Sequence, residues 1–286
     1  MKNASGKTEG THMNESYDDK PVKVDVEGRV AVVTLNSPDT LNALSPRMVV
    51  TLAQAWDEIQ DRREVAVVLL RATGGRAFCV GADLKTLIPL LSGARDPVDE
   101  WDERVKEDPR LLNRALLRTS KFTVPIVSAV NGYVLAGGME LMLACDVRIA
   151  GEGSMFGLTE VSRGLIPGGG GLTRLSRQVG YAVAAQIVLT GEQVSAGDAL
   201  QMGLINAVVP EDKVLDEAES LAQRMAKNAP MAMRKAKEAL VRCAGVPFSE
   251  ALRIESALAA EVLASDDARE GPRAFAEKRV PNFKGA

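Results

Sequence analysis

Two glutamates are the residues of this sequence best placed to do chemistry. Glu140 is the only charged residue in the apolar segment 131–145, which also contains the step Gly137-Gly138. Glu160 follows twenty residues later, again after a glycine-containing step. A carboxylate that loses its hydration on burial has a raised pKa, and such groups can transfer protons near neutral pH. Two of them can take a proton from water and give another to carbon or oxygen.

The sequence does not by itself place the two carboxylates together. Glu140 could lie on the exposed side of an amphipathic helix, although the residues around it offer no polar face. By spacing alone, Glu140 and Glu160 could also be two unrelated surface residues. The elements that carry them must therefore decide whether they form a pair.

The composition limits the catalytic mechanisms and partners that this chain could have. The 286 residues suffice for one large domain or two smaller ones with a sizeable core. The net charge of −3 argues against a nucleic-acid or anionic-membrane surface for the whole molecule. The single histidine, His12, lies in a polar N-terminal stretch, which disfavours Ser–His–Asp and Cys–His mechanisms and rules out zinc sites built on histidine. Acids and bases in this chain are therefore expected to be carboxylates.

The cysteines and the N-terminal residues indicate a cytoplasmic location. Cys79, Cys145 and Cys243 are far apart, and the first two lie in apolar segments, so we expect buried thiols in a reducing compartment. Residues 1–20 are polar and resemble neither a signal peptide nor a membrane span. They are predicted to be a disordered tail or a non-native remnant, with Met13 as a natural start.

Alternating strand and helix patterns predict an α/β core with largely buried strands. The β-branched and apolar runs predict strands at residues 22–26, 30–35, 65–70, 125–130, 147–150 and 207–209, the first two forming a hairpin. Ser45-Pro46 predicts a capped helix that continues to about residue 63. Further helices are expected at residues 137–145, 172–179, 181–190, 196–202, 213–227, 229–243, 248–264 and 267–277.

Two irregular segments are expected beside the site. Residues 74–85 read as a loop rich in glycine and small residues, whose backbone N–H groups can approach a ligand closely. Residues 86–119 form a charge-rich helical excursion broken by prolines, which we interpret as a lid or wall. The glycine run 168–171 opens a helix, although such a run alone is a weak signal of a binding site.

Several separate motifs resemble, in order and spacing, those of the crotonase (enoyl-CoA hydratase/isomerase) superfamily. The motifs are residues 77–85, 131–140, 156–160, 166–174 and 274–284, within a resemblance that covers about residues 22–286. The resemblance implies an α/β fold, a crotonase-type spiral of ββα units in residues 21–210, and a helical C-terminal trimerisation region in residues 211–286. It also implies a homotrimer or a dimer of trimers, with no nucleic acid or membrane as partner.

The implied ligand is an acyl-CoA thioester, and no cofactor is expected because coenzyme A is part of the substrate. By position in the motifs, the N–H groups of Ala82 and Gly137 would form the oxyanion hole around the thioester carbonyl. Glu140 would position and deprotonate water, and Glu160 would deliver a proton to C2, with the two roles shared if the pair is coupled. The N–H of Gly168 would hold the second glutamate or the water.

Other site residues follow from the same resemblance. Asp83, Leu84 and Lys85 match the stretch that lines the coenzyme A channel, where Lys85 could meet a phosphate or remain a solvated surface lysine. Phe275 and Lys278 could reach the ligand site of a neighbouring subunit, or simply end an amphipathic helix.

This chain also departs from the family pattern. Ala136 replaces the first glycine of the usual Gly-Gly-Gly, and Met139 stands where Cys or Phe is common. No arginine precedes Pro38, and the excursion at residues 86–119 is long for a short-chain hydratase. The prediction is therefore an enoyl-CoA hydratase. An isomerase or a hydratase for an aromatic or carnitine-like acyl group is the alternative, and a non-catalytic acyl-CoA-binding scaffold is the alternative of another class.

Overall fold

Two β-sheets organise the computed structural model, which describes residues 19–118 and 121–285. The predicted tail lies almost wholly outside these residues. The first sheet has the order β1-β2-β3-β5-β7-β10. Its strands are β1 (Val22–Glu27), β2 (Val30–Leu35), β3 (Val67–Ala72), β5 (Ile126–Val130), β7 (Val147–Gly151) and β10 (Ala207–Val209). Strands β1 and β2 form the predicted antiparallel hairpin, and the remaining neighbours in this sheet are parallel.

The second sheet is smaller and has the order β4-β6-β8-β9. Its strands are β4 (Ala77–Cys79), β6 (Tyr133–Leu135), β8 (Met155–Gly157) and β9 (Val194–Ser195). Pairs β4–β6 and β6–β8 are parallel, and β8–β9 is antiparallel. The chain passes from the first sheet to the second in each of the pairs β3–β4, β5–β6 and β7–β8, which produces the implied spiral. The interpretation of residues 77–79 as loop was therefore wrong.

The helices surround these sheets. In the described residues they are α1 (Pro46–Asp61), α2 (Leu87–Ser92), α3 (Glu100–Glu107), α4 (Leu111–Ala115), α5 (Gly137–Met142), α6 (Gly171–Gln178), α7 (Tyr181–Thr190), α8 (Ala196–Gln201), α9 (Val214–Ala226), α10 (Pro230–Cys243), α11 (Phe248–Leu263) and α12 (Asp266–Ala276). Ser45 caps α1 as predicted, since its side chain accepts from the Met48 N–H. No helix in this part of the chain is long and apolar enough to cross a membrane.

Buried strands lie between two hydrophobic clusters. In β2, Ala31 and Val33 face the larger cluster, which includes α1, whereas Val30 and Val32 face the cluster formed with α9. Strands covered on both faces are continuously apolar, which explains why the sequence shows no alternation there. The predicted boundary between the α/β core and the helical C-terminal region, at residues 210/211, falls between β10 and α9. Helix α9 nevertheless packs directly on the first sheet.

The described part of the 86–119 excursion is a wall built against α1. Trp56 of α1 donates its Nε1–H to the carbonyl of Ala115 at 3.0 Å, and Val105 and Leu111 are buried in the larger cluster. Leu112 and Leu116 of this wall line the cavity of the candidate site described below. The excursion therefore contributes fixed side chains to the candidate site.

Candidate active site

Three consecutive strands of the second sheet deliver the candidate catalytic groups. Strands β4, β6 and β8 are parallel neighbours, so their carboxyl ends lie at one edge of the sheet. Ala82 follows the end of β4, Gly137 and Glu140 follow β6, and Glu160 follows β8. All four residues line a single cavity of about 590 Å³. The fold therefore brings together residues that the sequence could only match by motif.

Two backbone N–H groups are available for an anionic oxygen. Leu44 pairs with the segment around Ala82 by accepting from the Asp83 N–H and donating to the Gly81 carbonyl, which leaves the Ala82 N–H out of this pairing. Gly137 is the first residue of α5, where an N–H has no partner inside the helix. A Cβ built on Gly137 would lie 3.6 Å from the Ala82 nitrogen, so the two donors are neighbours. Two neighbouring backbone donors of this kind are typical of an oxyanion hole.

Ala136 holds an unusual backbone conformation immediately before this helix. Its φ of 50° and ψ of −125° lie in a region that favours glycine, and its N–H donates to the Gly157 carbonyl at 2.8 Å. The residue that departs from the family pattern is thus strained where it positions Gly137. A non-glycine residue in such a conformation costs about 1–3 kcal/mol.

Substituting Ala136→Gly should therefore stabilise the protein. The strain energy that is relieved exceeds the entropic cost of ordering glycine on folding, so the free energy of unfolding should rise by about 1 kcal/mol. Thermal unfolding should show a melting temperature higher by about 2–4 °C. The matched control Ala185→Gly, within α7, should lower the melting temperature instead. A lower melting temperature for Ala136→Gly would show that the strain is absent.

Glu140 is held as a buried carboxylate by the glycine run. Its side chain is 4% exposed, and Oε1 accepts the Gly171 N–H at 2.8 Å. Burial raises its pKa, while the N–H groups of Gly171 and Gly169 and the charges of Arg174 and Arg118 oppose that rise. These donors favour the ionised form, which is the form a base requires.

The predicted role of Gly168 is wrong for the glutamate. In the described residues, the glycine run donates to Glu140 through Gly171, and the Gly168 N–H donates to neither glutamate. Gly168 does line the cavity, so a bond from it to water stays a prediction. The helix opens at Gly171 with Gly170 as its cap, so its first N–H lies three residues beyond Gly168.

Glu160 is also buried, but its carboxyl is less well satisfied by hydrogen bonds. Its side chain is 8% exposed, and its Oε2 is buried with no hydrogen-bond partner in the described part of the chain. Burial, together with the nearby charge of Glu140, raises its pKa to about 7, although its own backbone N–H and Arg163 act in the other direction. Near neutral pH Glu160 is therefore the carboxyl that can carry the proton. The hydrogen bonds thus favour the ionised form of Glu140, and burial favours the protonated form of Glu160.

The raised pKa of Glu160 predicts a stability that depends on pH. Between about pH 4.5 and 7 the folded protein holds a proton that the unfolded chain releases, so stability falls as pH rises through this window. Glu160→Gln removes this loss and should raise the free energy of unfolding at pH 8 by about 1–2 kcal/mol, allowing for solvent screening. At pH 5 the gain should nearly vanish.

Urea unfolding at pH 5 and pH 8 would measure this difference. The exposed Glu152, substituted as Glu152→Gln, is the control and should show no pH-dependent gain. An equal effect of Glu160→Gln at both pH values would contradict the raised pKa.

Buried Arg148 links the C-terminal ends of α5 and α6, the two helices that meet at Glu140. Arg148 donates to the carbonyls of Leu143 and Cys145 beyond α5, and to Gln178 at the end of α6. Gln178 in turn donates to the Leu143 carbonyl at 3.0 Å. Since α5 begins at Gly137 and α6 begins at Gly171, this network fixes the spacing of the two helix starts that form the site.

The residues predicted for the coenzyme A channel lie at the rim. Asp83, Leu84 and Lys85 line the cavity, and Leu84 and Lys85 are exposed. The Asp83 carboxylate accepts the N–H groups of Lys85 and Thr86, at 2.7 and 3.1 Å, and so fixes the turn before α2. Asp83 thus shapes this wall through the backbone.

The remaining predicted residues are not brought to the cavity of their own chain. Phe275 is 87% exposed at the end of α12, and Lys278 follows it with a φ of 55°. Neither lines the cavity, so contact with a neighbouring subunit stays a prediction. Among the described residues there is no cluster of three or more His, Cys, Asp or Glu able to hold a metal ion.

Sequence reasoning missed part of the site. Gly169 and Gly171 were seen only as a weak glycine signal, and Arg163 was not singled out. The signal that identifies Gly169 and Gly171 is their fit against Glu140, because a Cβ on either would lie within 3.0 Å of its carboxylate. Such contacts join segments about thirty residues apart and leave no local pattern.

This spiral of ββα units, with paired donors and carboxylates at one strand edge, defines a crotonase-type protein. Residues 25–286 match the family model described as Enoyl-CoA hydratase/isomerase, and the chain belongs to that family. It is 38% identical to enoyl-CoA hydratase EchA19 of Mycobacterium tuberculosis, over 91% of this chain and 95% of that one. It is 35% identical to (E)-benzylidenesuccinyl-CoA hydratase of Thauera aromatica, over 93% and 100%.

A solved structure supports the same assignment. The enoyl-CoA hydratase from Bacillus anthracis superposes with a TM-score of 0.83 at 35% identity, covering 93% of this chain and 100% of that one. The superfamily and fold predicted from the motifs are thereby confirmed.

Proposed function

We propose that this protein is an enoyl-CoA hydratase that adds water across the C2–C3 double bond of a 2-enoyl-CoA. The observation that carries the proposal is the cavity that joins two buried glutamates to the backbone N–H groups of Ala82 and Gly137. Glu140 accepts the Gly171 N–H, whereas Glu160 Oε2 has no partner in the described part of the chain. Relatives at 34–38% identity that are themselves hydratases support it.

The geometry suggests a division of labour. The thioester oxygen would accept from the N–H groups of Ala82 and Gly137, which stabilise the negative charge that forms when C3 is attacked. Glu140 takes a proton from water as its oxygen bonds to C3, and Glu160 gives its proton to C2. The products are a 3-hydroxyacyl-CoA, a protonated Glu140 and an ionised Glu160. A proton then passes between the coupled carboxyls, directly or through solvent, and restores the starting state.

The reaction needs no further group, because the thioester of the substrate itself polarises the double bond. We therefore propose a cofactor-free enzyme in which coenzyme A belongs to the substrate. Lys85, exposed at the rim, would meet a phosphate of coenzyme A. The free buried thiols Cys79 and Cys145 fit a reducing compartment, and we propose a cytoplasmic location.

The test is hydration of a series of 2-enoyl-CoAs, followed by the loss of their conjugated absorbance. Mass analysis of the product separates the candidates. A mass gain of one water supports a hydratase, whereas an unchanged mass with a shifted double bond would make the protein an isomerase. Binding of acyl-CoA with no turnover of any chain length would make it a scaffold.

We also propose a trimeric assembly through α10–α12. These helices leave large apolar side chains uncovered in the single chain, which is typical of interaction surfaces. They are Leu240, Val241, Phe248, Leu252, Leu263 and Phe275. Light scattering of the purified protein would measure the assembly, and a monomer would contradict it.

A further inference from the structure

One cation of the cavity has no part in the proposed hydration. The basic residues that line the cavity are Lys85 and Arg163. Lys85 lies three residues beyond Ala82, on the thioester side, where the coenzyme A phosphates would pass. Arg163 lies three residues beyond Glu160, on a different segment of the lining.

The guanidinium of Arg163 is only partly used by the protein. Its Nη1 donates to the Thr159 carbonyl and to Ser162 Oγ, each at 3.1 Å. Within the described residues no carboxylate forms an ion pair with it, and its Nε and Nη2 have no protein acceptor. The bonds to Nη1 hold the side chain at the wall, while the other donors stay available for a ligand.

The surroundings of Arg163 suit a chain that is apolar first and charged at its end. Leu165 and Ile166 line the same wall, and Ile166 is 68% exposed for a large apolar residue. Leu112 and Leu116 also line the cavity. A purely aliphatic acyl group would be satisfied by these side chains and would leave the arginine without a role.

An anionic end also needs a cation here. A carboxylate brought into this cavity meets two glutamates, and like charges in a partly dry site repel strongly. Arg163 is close enough to Glu160 to oppose the rise of its pKa that burial causes, so its charge acts where the repulsion would arise. Arginine pairs with a carboxylate through two parallel N–H bonds, which adds specificity to the attraction.

We propose that Arg163 binds a carboxylate at the far end of the acyl chain, so that the preferred substrates are 2-enoyl-CoAs of dicarboxylic acids. The inference rests on the proposed hydration and names its substrate class. Arg163 is thus a specificity-determining residue, which touches the substrate but not the reacting atoms.

The test compares two isosteric substrates. One is a six-carbon 2-enoyl-CoA that ends in a carboxylate, and the other is the same chain ending in a primary amide. The wild-type protein should prefer the carboxylate by about 10-fold to 100-fold in kcat/KM, as expected for a charge-assisted pair. Arg163→Met should abolish this preference by lowering kcat/KM for the carboxylate substrate more than for the amide, and Arg163→Lys should retain part of it.

Arg110→Met is the matched control. Arg110 is an exposed arginine at the start of α4 that pairs with Asp108 and does not line the cavity. This variant should keep the full preference. A preference that persists in Arg163→Met would overturn the proposal. Equal kcat/KM values of the wild-type protein for the two substrates would also overturn it. An equal loss of kcat/KM for both substrates in Arg163→Met would overturn it as well, because Arg163 would then act only through Glu160.

A binding measurement keeps this proposal separate from the proposed function. Calorimetry with the saturated forms of the two acyl-CoAs needs no turnover. If no enoyl-CoA is hydrated but wild type binds the carboxylate form more tightly and Arg163→Met does not, hydration fails and the carboxylate site stands. If hydration proceeds and the two ligands bind equally, the carboxylate site fails and hydration stands.

Discussion

Glu160→Gln and Glu140→Gln should each lower kcat for hydration by about 10²–10⁴, the range that a positioned acid or base supplies. Glutamine at 160 has no proton to give to C2, and glutamine at 140 cannot take one from water. Because the two groups act in one step, the double variant should fall little below the slower single variant. Absorbance assays under substrate saturation would measure all three.

The pH profile tests the assignment of roles. Glu160 must be protonated to act, so kcat/KM for hydration should fall as pH rises through about 7, where burial has moved the pKa of Glu160. Glu140 must be ionised, so the rate should also fall at low pH, at a point above the usual range of a glutamate because burial raises its pKa.

Binding of a saturated acyl-CoA should be nearly unchanged in these variants, which shows that the cavity is intact. Glu152→Gln serves again as the exposed control and should retain full activity. Full activity in the double variant would contradict the mechanism.

The sequence predicted the larger sheet well because strands such as β2 and β5 have five or six residues that are apolar except for Thr34 and Ser128. Strands β4, β6 and β8 have three residues each, which is too short to show a period. They are defined by pairing between distant segments and could be anticipated only through the resemblance to a ββα family. The smaller sheet that carries the site was therefore the least visible part of the fold.

The candidate site, like the fold, could be predicted from the sequence only in part. Glu140 was conspicuous because it is a single charge in an apolar run, and burial bears out that expectation. Its contacts with Gly169 and Gly171 depend on how α6 lies against α5, which no local pattern encodes. Sequence reasoning consequently selected Gly168, a neighbour of the residues that make these contacts.

The last prediction follows from the difference between Gly168, which the sequence selected, and its neighbour Gly169, which lies against Glu140. A Cβ built on Gly169 would lie 2.5 Å from Glu140 Oε2 and 2.3 Å from Leu116 Cδ1. Both contacts are the ends of side chains that can move, so the fold can accept alanine at 169. The Glu140 carboxylate, however, must then leave the position in which it accepts the Gly171 N–H. Displacing a catalytic group by about 1 Å costs on the order of 10²-fold in rate.

Gly169→Ala should therefore lower kcat by about 10²-fold while the protein remains folded. Gly168→Ala is the matched control, because the nearest atom to its Cβ would be the Ile166 carbonyl oxygen at 3.8 Å and its backbone needs no positive φ. This neighbour should keep kcat within about twofold, since nothing near Glu140 moves. Steady-state kinetics and thermal unfolding of the two variants, made side by side, would measure the difference. Equal activities would mean that the glycine run does not position Glu140. A loss confined to Gly168→Ala would instead mean that a side chain at position 168 obstructs the cavity.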